Sequence, residues 1–327
     1  MTRVVVFDEF GGPDVLHIVE EPVREPEPGE VRVKIEAFAI NPLDVMMRSG
    51  TLPAPVSLPH SRLGIEAAGV IDAIGPGVDS SRAGEPVMVA SVPDSSENGT
   101  YAEYTTLPAG DVLKRPDSFD VIESAAVWVG FSTAYGALVE LAGMGRDDTV
   151  LVTGASGSVG RAAIQIAAAL GAIPIALTRD PSKVAALRAL GADTVLVTGR
   201  DNIPTVTRRL TGGLGVDITL DVVRGPGQHV LLTSTRAGGT LVAVGFLDPR
   251  QTPDHPAGSQ VDVVNYRGFD YLSRVEVVAR MCDFLRSHSG ADELRPAIDS
   301  TFDLDHIVDA HRHFESGLAT GKIVVTT

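Results

Sequence analysis

The sequence predicts an α/β protein in two parts, a small all-β barrel and a doubly wound parallel sheet. Three observations carry this. Residues 1–120 hold short strand-like runs separated by Gly/Pro/Asp clusters, and from about residue 121 strands and helices alternate in βα order. Within the second, "TVLVTGASGSVGRAAIQIAAALGA", residues 149–172, takes an apolar run through three glycines straight into an Ala-rich helical pattern. A chain of 327 residues also exceeds the usual size of one core, so two domains are expected.

The first part is read from "TRVVVFDEF", "VRVKIEAFAI", "EAAGVIDAIG", "EPVMVASV" and "TYAEYTTLP", with "EPEPGE" and "GPGVDSSRAGEP" as turn punctuation. In the second, strands are expected at 149–153, 173–178, 194–198, 216–223 and 240–245. Helices are expected at 158–170, 181–190, 202–210 and 226–236. The tail, from "MCDFLRSHSG" to "GKIVVTT", reads as helix, extended piece, helix and last strand, returning to the first part.

Composition narrows the function. Hydrophobic residues make up 44% of the chain, charged residues 21%, and no run of 18 apolar residues is present, so a soluble globular protein is expected. The start, "MTRVVVFDEF", lacks the pattern of a secretory leader, and the one cysteine, Cys282, excludes an internal disulfide and a cysteine-rich zinc site. Both point to the cytoplasm. The formal charge of −15 argues against nucleic acid or an anionic membrane as partner; it reads as a well-solvated surface.

In the glycine stretch the strand ends at Thr153 and the helix starts near Ser158. Gly154 permits the tight turn, Gly157 lets the backbone approach a pyrophosphate, and Gly160 lets the helix pack closely. Unpaired N–H groups at residues 157–160 then face the anion, with Ser156 on the same turn. This predicts a dinucleotide site. The next strand ends in "TRDPSK", where an NAD site normally places an acidic residue and this chain has Thr178. Arg179 and Lys183 flank it and suit a 2′-phosphate, which favours NADPH. The competing reading keeps Asp180 as a ribose ligand and leaves both cations as surface charges.

Many segments together, from "GGPDVLHIVEEPVREPEPGEVRVKIEAFAINPLDVMMRSG" and "GIEAAGVIDAIGPGV" through "GTYAEYTTLPAG", the glycine turn, "LRALGADTVL" and "GVDITLDVV" to "GKIVVTT", carry a likeness. The chain resembles the medium-chain dehydrogenase/reductase superfamily, specifically its zinc-independent quinone oxidoreductase (zeta-crystallin-like) branch. The resemblance implies a GroES-like β-barrel domain at 1–120 completed by 265–327, an inserted Rossmann domain at 121–264, and an active site in the interdomain cleft. It also implies a homodimer, formed through the edge of the Rossmann sheet.

The superfamily's alcohol dehydrogenases bind catalytic zinc with a cysteine at the position of Asn41 and a histidine at that of Ile65. Here "INPLD" and "GIEAAG" replace both, and the eight histidines are scattered. His311 and His313 are close, but at i, i+2 on a helix they do not face one another. No catalytic zinc is therefore expected. Without that Lewis acid, hydride addition to a conjugated acceptor remains feasible.

Carried over by resemblance, Asn41 hydrogen-bonds near the nicotinamide or the acceptor oxygen; its plain alternative is an Asn-Pro turn former. Thr133 contacts the cofactor on its phosphate or ribose side, or else caps the helix that follows. Gly157, Ser158 and Val159 bind the pyrophosphate through backbone. Val244, Gly245 and Phe246 border the nicotinamide, and Lys322 reaches the cofactor or is a solvated lysine. Met46, Leu52 and Thr198 stand where relatives often carry tyrosines, so a more aliphatic site is expected. His60, in "LPHSRLG", is a weak proton-donor candidate beside water. The expected function is an NADPH-dependent, zinc-independent reduction of a quinone or an activated C=C acceptor. The alternatives are a carbonyl reductase of the same family and a non-enzymatic NADPH-binding protein.

Overall fold

The computed structural model describes residues 1–256, 258–289 and 294–327. The chain divides into two compact units, residues 1–129 with 296–327, and residues 130–295. The first unit starts with β1 (Thr2–Phe7), β2 (His17–Glu21), β3 (Glu30–Ala39) and helix α1 (Pro42–Ser49). There follow β4 (Ser61–Arg62), β5 (Ala67–Ile74), β6 (Pro86–Val89), the short α2 (Ser95–Asn98), β7 (Tyr104–Pro108) and β8 (Val112–Lys114). Helix α3 (Val121–Tyr135) runs on as π-helical turns over Gly136–Leu141.

The second unit continues with β9 (Thr149–Val152), α4 (Ser158–Ala169), β10 (Ile173–Thr178), α5 (Val184–Ala189), β11 (Thr194–Val197) and α6 (Ile203–Leu210). Next come β12 (Val216–Asp221), α7 (Gln228–Ser234), β13 (Thr235–Ala243), β14 (Asp262–Asn265), α8 (Gly268–Leu272) and α9 (Val275–Ser289). The chain then returns to the first unit with β15 (Ile298–Asp303), α10 (Ile307–Glu315) and β16 (Lys322–Thr326).

In the first unit, β3 alternates inward Val31, Val33 and Ile35 with outward Arg32, Lys34 and Glu36, the period-two signature of a half-buried strand. It anchors the order β15-β16-β3-β5-β6-β8, with β7 also paired to β3, while β2-β1-β4 form a second sheet. These sheets, in the described residues, do not close into a single hydrogen-bonded ring. Phe7, Phe38, Ile40, Leu63, Ile71 and Val325 fill the core between them.

The second unit is a parallel sheet in the order β11-β10-β9-β12-β13-β14. Val150, Leu151 and Val152 are fully buried, as central parallel strands with both faces covered must be. The strand order reverses between β9 and β12, the switch point outside whose carboxyl ends such sheets bind ligands.

Three expectations change. The sheet has a sixth strand, β14, whose four-residue run "DVVN" follows a long polar loop and carries little pattern, and β13 already begins at Thr235. Residues 265–289, assigned from sequence to the first part, group with the second unit. There α9 buries Val277, Met281 and Leu285, sets Phe284 5.0 Å from the Tyr135 ring, and pairs Arg280 with Glu140 at 2.6 Å. Finally, the helical stretch Val121–Leu141 is long and apolar enough by composition to cross a membrane; 72% of its apolar window is buried inside the fold, the pattern of a core helix.

Candidate active site

The glycine turn lies between β9 and α4. Gly154 has φ +56°, a left-handed conformation that glycine adopts without steric cost. A Cβ on Gly160 would lie 2.4 Å from the Gly154 carbonyl oxygen, so the turn closes on the helix only without a side chain there. A Cβ on Gly157 would meet nothing nearer than that oxygen at 3.4 Å, which leaves open space beside the backbone. The Gly157 N–H is spent on the Gly154 carbonyl at 2.9 Å, so the expected anion-facing set of 157–160 contracts by one. Ser158, Val159 and Gly160, in the first turn of α4, have no intrahelical acceptor and supply the free donors. Ser156 is half-buried on the same turn.

Asp221 pins this corner. Its carboxylate accepts from Thr153 Oγ1 at 3.0 Å, Arg224 N at 2.9 Å and Gln228 Nε2 at 3.0 Å, joining the ends of β9 and β12. Sequence reasoning missed it, although it ends the quoted strand "GVDITLD". After β13, a Cβ on Gly245 would sit 2.1 Å from the Val222 carbonyl oxygen, so the chain passes tightly over β12's end. Val244 donates its N–H to the Asp221 carbonyl at 2.9 Å, and Phe246 stands 45% exposed just beyond. Thr133 lies inside α3, whose helical turns continue past it, so it caps no following helix.

At the end of β10, Thr178 is buried and its Oγ1 accepts from Asp180 N at 3.1 Å. The Asp180 carboxylate caps the turn behind it, accepting from Ser182 Oγ at 2.7 Å and Ser182 N at 2.9 Å. Those Ser182 donors hold the carboxyl below its usual range. Exposed Arg179 and half-buried Lys183 make no side-chain ion pair among the described residues.

In the first unit, Asn41 is the N-cap of α1, with Pro42 at N1 and Asp44 at N3 completing a capping box. It is 1% exposed. Its Nδ2 donates to Glu66 Oε1 at 3.0 Å and to the Ala39 carbonyl at 3.2 Å. Its Oδ1 accepts from Lys322 Nζ at 2.5 Å, and the same ammonium binds Glu66 Oε1. Lys322 is thus a buried cation rather than a solvated one. Glu66 Oε2 accepts from Val129 N at 2.9 Å. Asp44 accepts from Asn41 N at 2.8 Å, Gly64 N at 3.0 Å and Tyr101 OH at 3.2 Å, and burial pushes its carboxyl up to about 7. Tyr101 OH also meets His311 Nε2 at 3.2 Å, while His311 Nδ1 faces Arg48 at 3.1 Å. Burial, then Arg48, pushes His311 down to about 3.

His60 lies apart from this cluster, exposed and bound to Glu21 Oε1 at 2.8 Å. His313 turns away from His311 to Asp299 at 2.7 Å.

Comparison with known proteins decides the family. The description "Zinc-binding dehydrogenase" matches residues 158–285 and "Alcohol dehydrogenase GroES-like domain" matches residues 27–117. The quinone oxidoreductase of Homo sapiens is 30% identical over 334 residues, covering 99% of this chain and 98% of that protein. The chain belongs to the zinc-independent quinone oxidoreductase branch of the medium-chain dehydrogenase/reductase superfamily. Solved structures agree. The Pseudomonas syringae quinone oxidoreductase is 26% identical with a TM-score of 0.91, covering 100% of both chains. The Escherichia coli quinone oxidoreductase, solved in complex with NADPH, is 25% identical with a TM-score of 0.90, again over 100% of both chains.

This medium-chain dehydrogenase/reductase, with its Rossmann sheet and GroES-like unit, is an NAD(P)H-dependent oxidoreductase. Its donor set does not fit the zinc of its alcohol dehydrogenase relatives. Asn41 and Glu66 already hold the Lys322 ammonium, Ile65 offers no donor atom, and no group of three metal-ligating side chains converges among the described residues.

Proposed function

We propose that the chain is an NADPH-dependent reductase that transfers hydride to a quinone or an activated C=C acceptor without a metal. The observation that carries the cofactor choice is the end of β10. The Asp180 carboxylate is consumed by its own cap, whereas Arg179 and Lys183 make no side-chain ion pair among the described residues. A ribose diol needs an acidic acceptor, and a 2′-phosphate needs cations.

When bound, the dihydronicotinamide supplies the hydride. The residues then divide the remaining work. Ser158, Val159 and Gly160 hold the pyrophosphate by N–H donation, and the Gly157 face leaves room for it. Val244, Gly245 and Phe246 border the nicotinamide, and Thr133 meets the cofactor on its phosphate or ribose side. Asn41 has both N–H donors committed, to Glu66 and to the Ala39 carbonyl, so toward a cofactor its amide acts through Oδ1 as an acceptor and not as a donor. That capacity matches the carboxamide N–H of a nicotinamide rather than an acceptor oxygen. The proton that completes the reduction comes from water, since His60 is committed to Glu21. A second copy pairs along β14, whose outer edge has no partner strand among the described residues.

The test is oxidation of NADPH and NADH, followed at the cofactor absorbance, with a panel of enones, quinones and aldehydes. Turnover of an enone or quinone with NADPH preferred supports the reading. Preference for NADH, or turnover of aldehydes alone, overturns it.

A further inference from the structure

The buried polar chain behind α1 has a direction. An Arg guanidinium can only donate, so the Arg48 N–H facing His311 makes Nδ1 the acceptor. A neutral imidazole with an accepting Nδ1 carries its proton on Nε2, and that N–H donates to Tyr101 OH. The single hydroxyl proton of Tyr101 is then aimed at Asp44 Oδ2. Arg48 is itself fixed by Glu315 at 2.6 Å. Each link spans distant elements: Arg48 on α1, His311 and Glu315 on α10, and Tyr101 ahead of β7.

Asp44 is the end point. The groups facing it are the Tyr101 hydroxyl, the Asn41 and Gly64 N–H groups and, through charge, the Lys322 ammonium, which Glu66 in turn pairs. It touches no solvent. Its capping contact to Asn41 N fixes the backbone from which the Asn41 amide projects.

We propose that Asp44 is a positioning residue for the reduction, holding Asn41 through its carboxylate, and that the Arg48–His311–Tyr101 chain keeps that carboxylate an acceptor. This rests on the role given to Asn41 above. Loss of the Tyr101 donor makes Asp44 easier to protonate, and a protonated Asp44 cannot accept from all of its donors.

The experiment compares wild type, Tyr101→Phe, His311→Gln and His311→Leu. Two readouts are taken: the ¹³C-carboxyl titration of Asp44 in the cofactor-free protein, and the pH profile of NADPH-dependent kcat/KM. Tyr101→Phe keeps the ring stacked on Phe38 at 4.3 Å and should move both the titration and the acid limb up by about one pH unit. His311→Leu, which keeps the Tyr101 hydroxyl but removes the donor that polarises it, should move both in the same direction by less. His311→Gln, whose amide can accept from Arg48 and donate to Tyr101, should leave both near wild type. A merely structural role would lower thermal stability in all three and shift neither. An unmoved Asp44 titration in Tyr101→Phe and His311→Leu overturns the chain. Should that titration move while the acid limb stays, the chain stands but the positioning role falls. A wild type that turns over no acceptor with NADPH refutes instead the function on which the proposal rests, and with it the assignment to that reaction.

Discussion

Replacing Lys322 by Met tests the buried charge pair on which Asn41 depends. Glu66 is fully buried, and the change leaves its carboxylate, among the described residues, with two neutral donors, Asn41 Nδ2 at 3.0 Å and Val129 N at 2.9 Å. Breaking a buried pair costs about 3–5 kcal/mol, and the two remaining donors place this case near 3. With a urea m-value of about 2 kcal/mol per M, the midpoint falls by about 1.5 M. The reporter is built in. The chain's one tryptophan, Trp128, is buried, donates to the Ala90 carbonyl at 2.7 Å, and adjoins the Val129 N–H that Glu66 accepts. Its fluorescence therefore reads unfolding of the first unit. The double variant Lys322→Met with Glu66→Gln removes both charges and should recover to within about 1 kcal/mol of wild type. A single variant that costs under 1 kcal/mol, or a double variant as damaged as the single, refutes the reasoning.

Other outcomes follow from the same geometry. Lys183→Ala should weaken NADPH about tenfold, the loss of one charge-assisted contact, and leave NADH nearly unchanged by fluorescence titration; equal losses count against a 2′-phosphate contact. Gly160→Ala forces a methyl into backbone and should cost about 1–3 kcal/mol with loss of NADPH binding, whereas Gly157→Ala should keep its melting temperature and lose affinity alone. His60→Ala should leave kcat unchanged in the NADPH oxidation assay. The pH dependence of stability has two opposed parts. His311, pushed down to about 3 from 6.5, contributes stability present above 6.5 and lost as pH falls. Asp44, pushed up to about 7 from 3.8, contributes stability present below 3.8 and lost as pH rises through 7. Between about pH 4 and 6.5 these two contributions oppose one another, so the urea midpoint should change less there than in a variant that lacks either. His311→Gln removes one side, and stability should then fall by about 1.4 kcal/mol per unit over that window.

The dinucleotide half of the candidate site was legible because its signal is local. Gly154, Gly157 and Gly160 sit within seven residues of sequence, bounded by a strand pattern and a helix pattern, and the βα alternation around them repeats at short range. Even there, that the Gly157 N–H closes its own turn needed coordinates. The other half was legible only through family likeness. Lys322 meets Glu66 across 256 positions and His311 meets Arg48 across 263, distances over which no periodicity connects two residues. Asp44 was the exception. It stands three residues after Asn41 in "NPLD", the spacing of a capping box, and could have been found from that rule. The strand β14 escaped because four residues carry too little alternation to separate a strand from a loop.

The placement of β16 has a consequence for how the protein is made. The strand sits between β15 and β3 and carries Lys322, yet it is translated after the whole of residues 130–295. On the ribosome, the second unit can finish while the first still has an open β3 edge and a Glu66 carboxylate with no counter-ion. Synthesis thus reverses the usual order in which amino-terminal units fold first. The first unit is completed by a strand that emerges only after the second unit has been made.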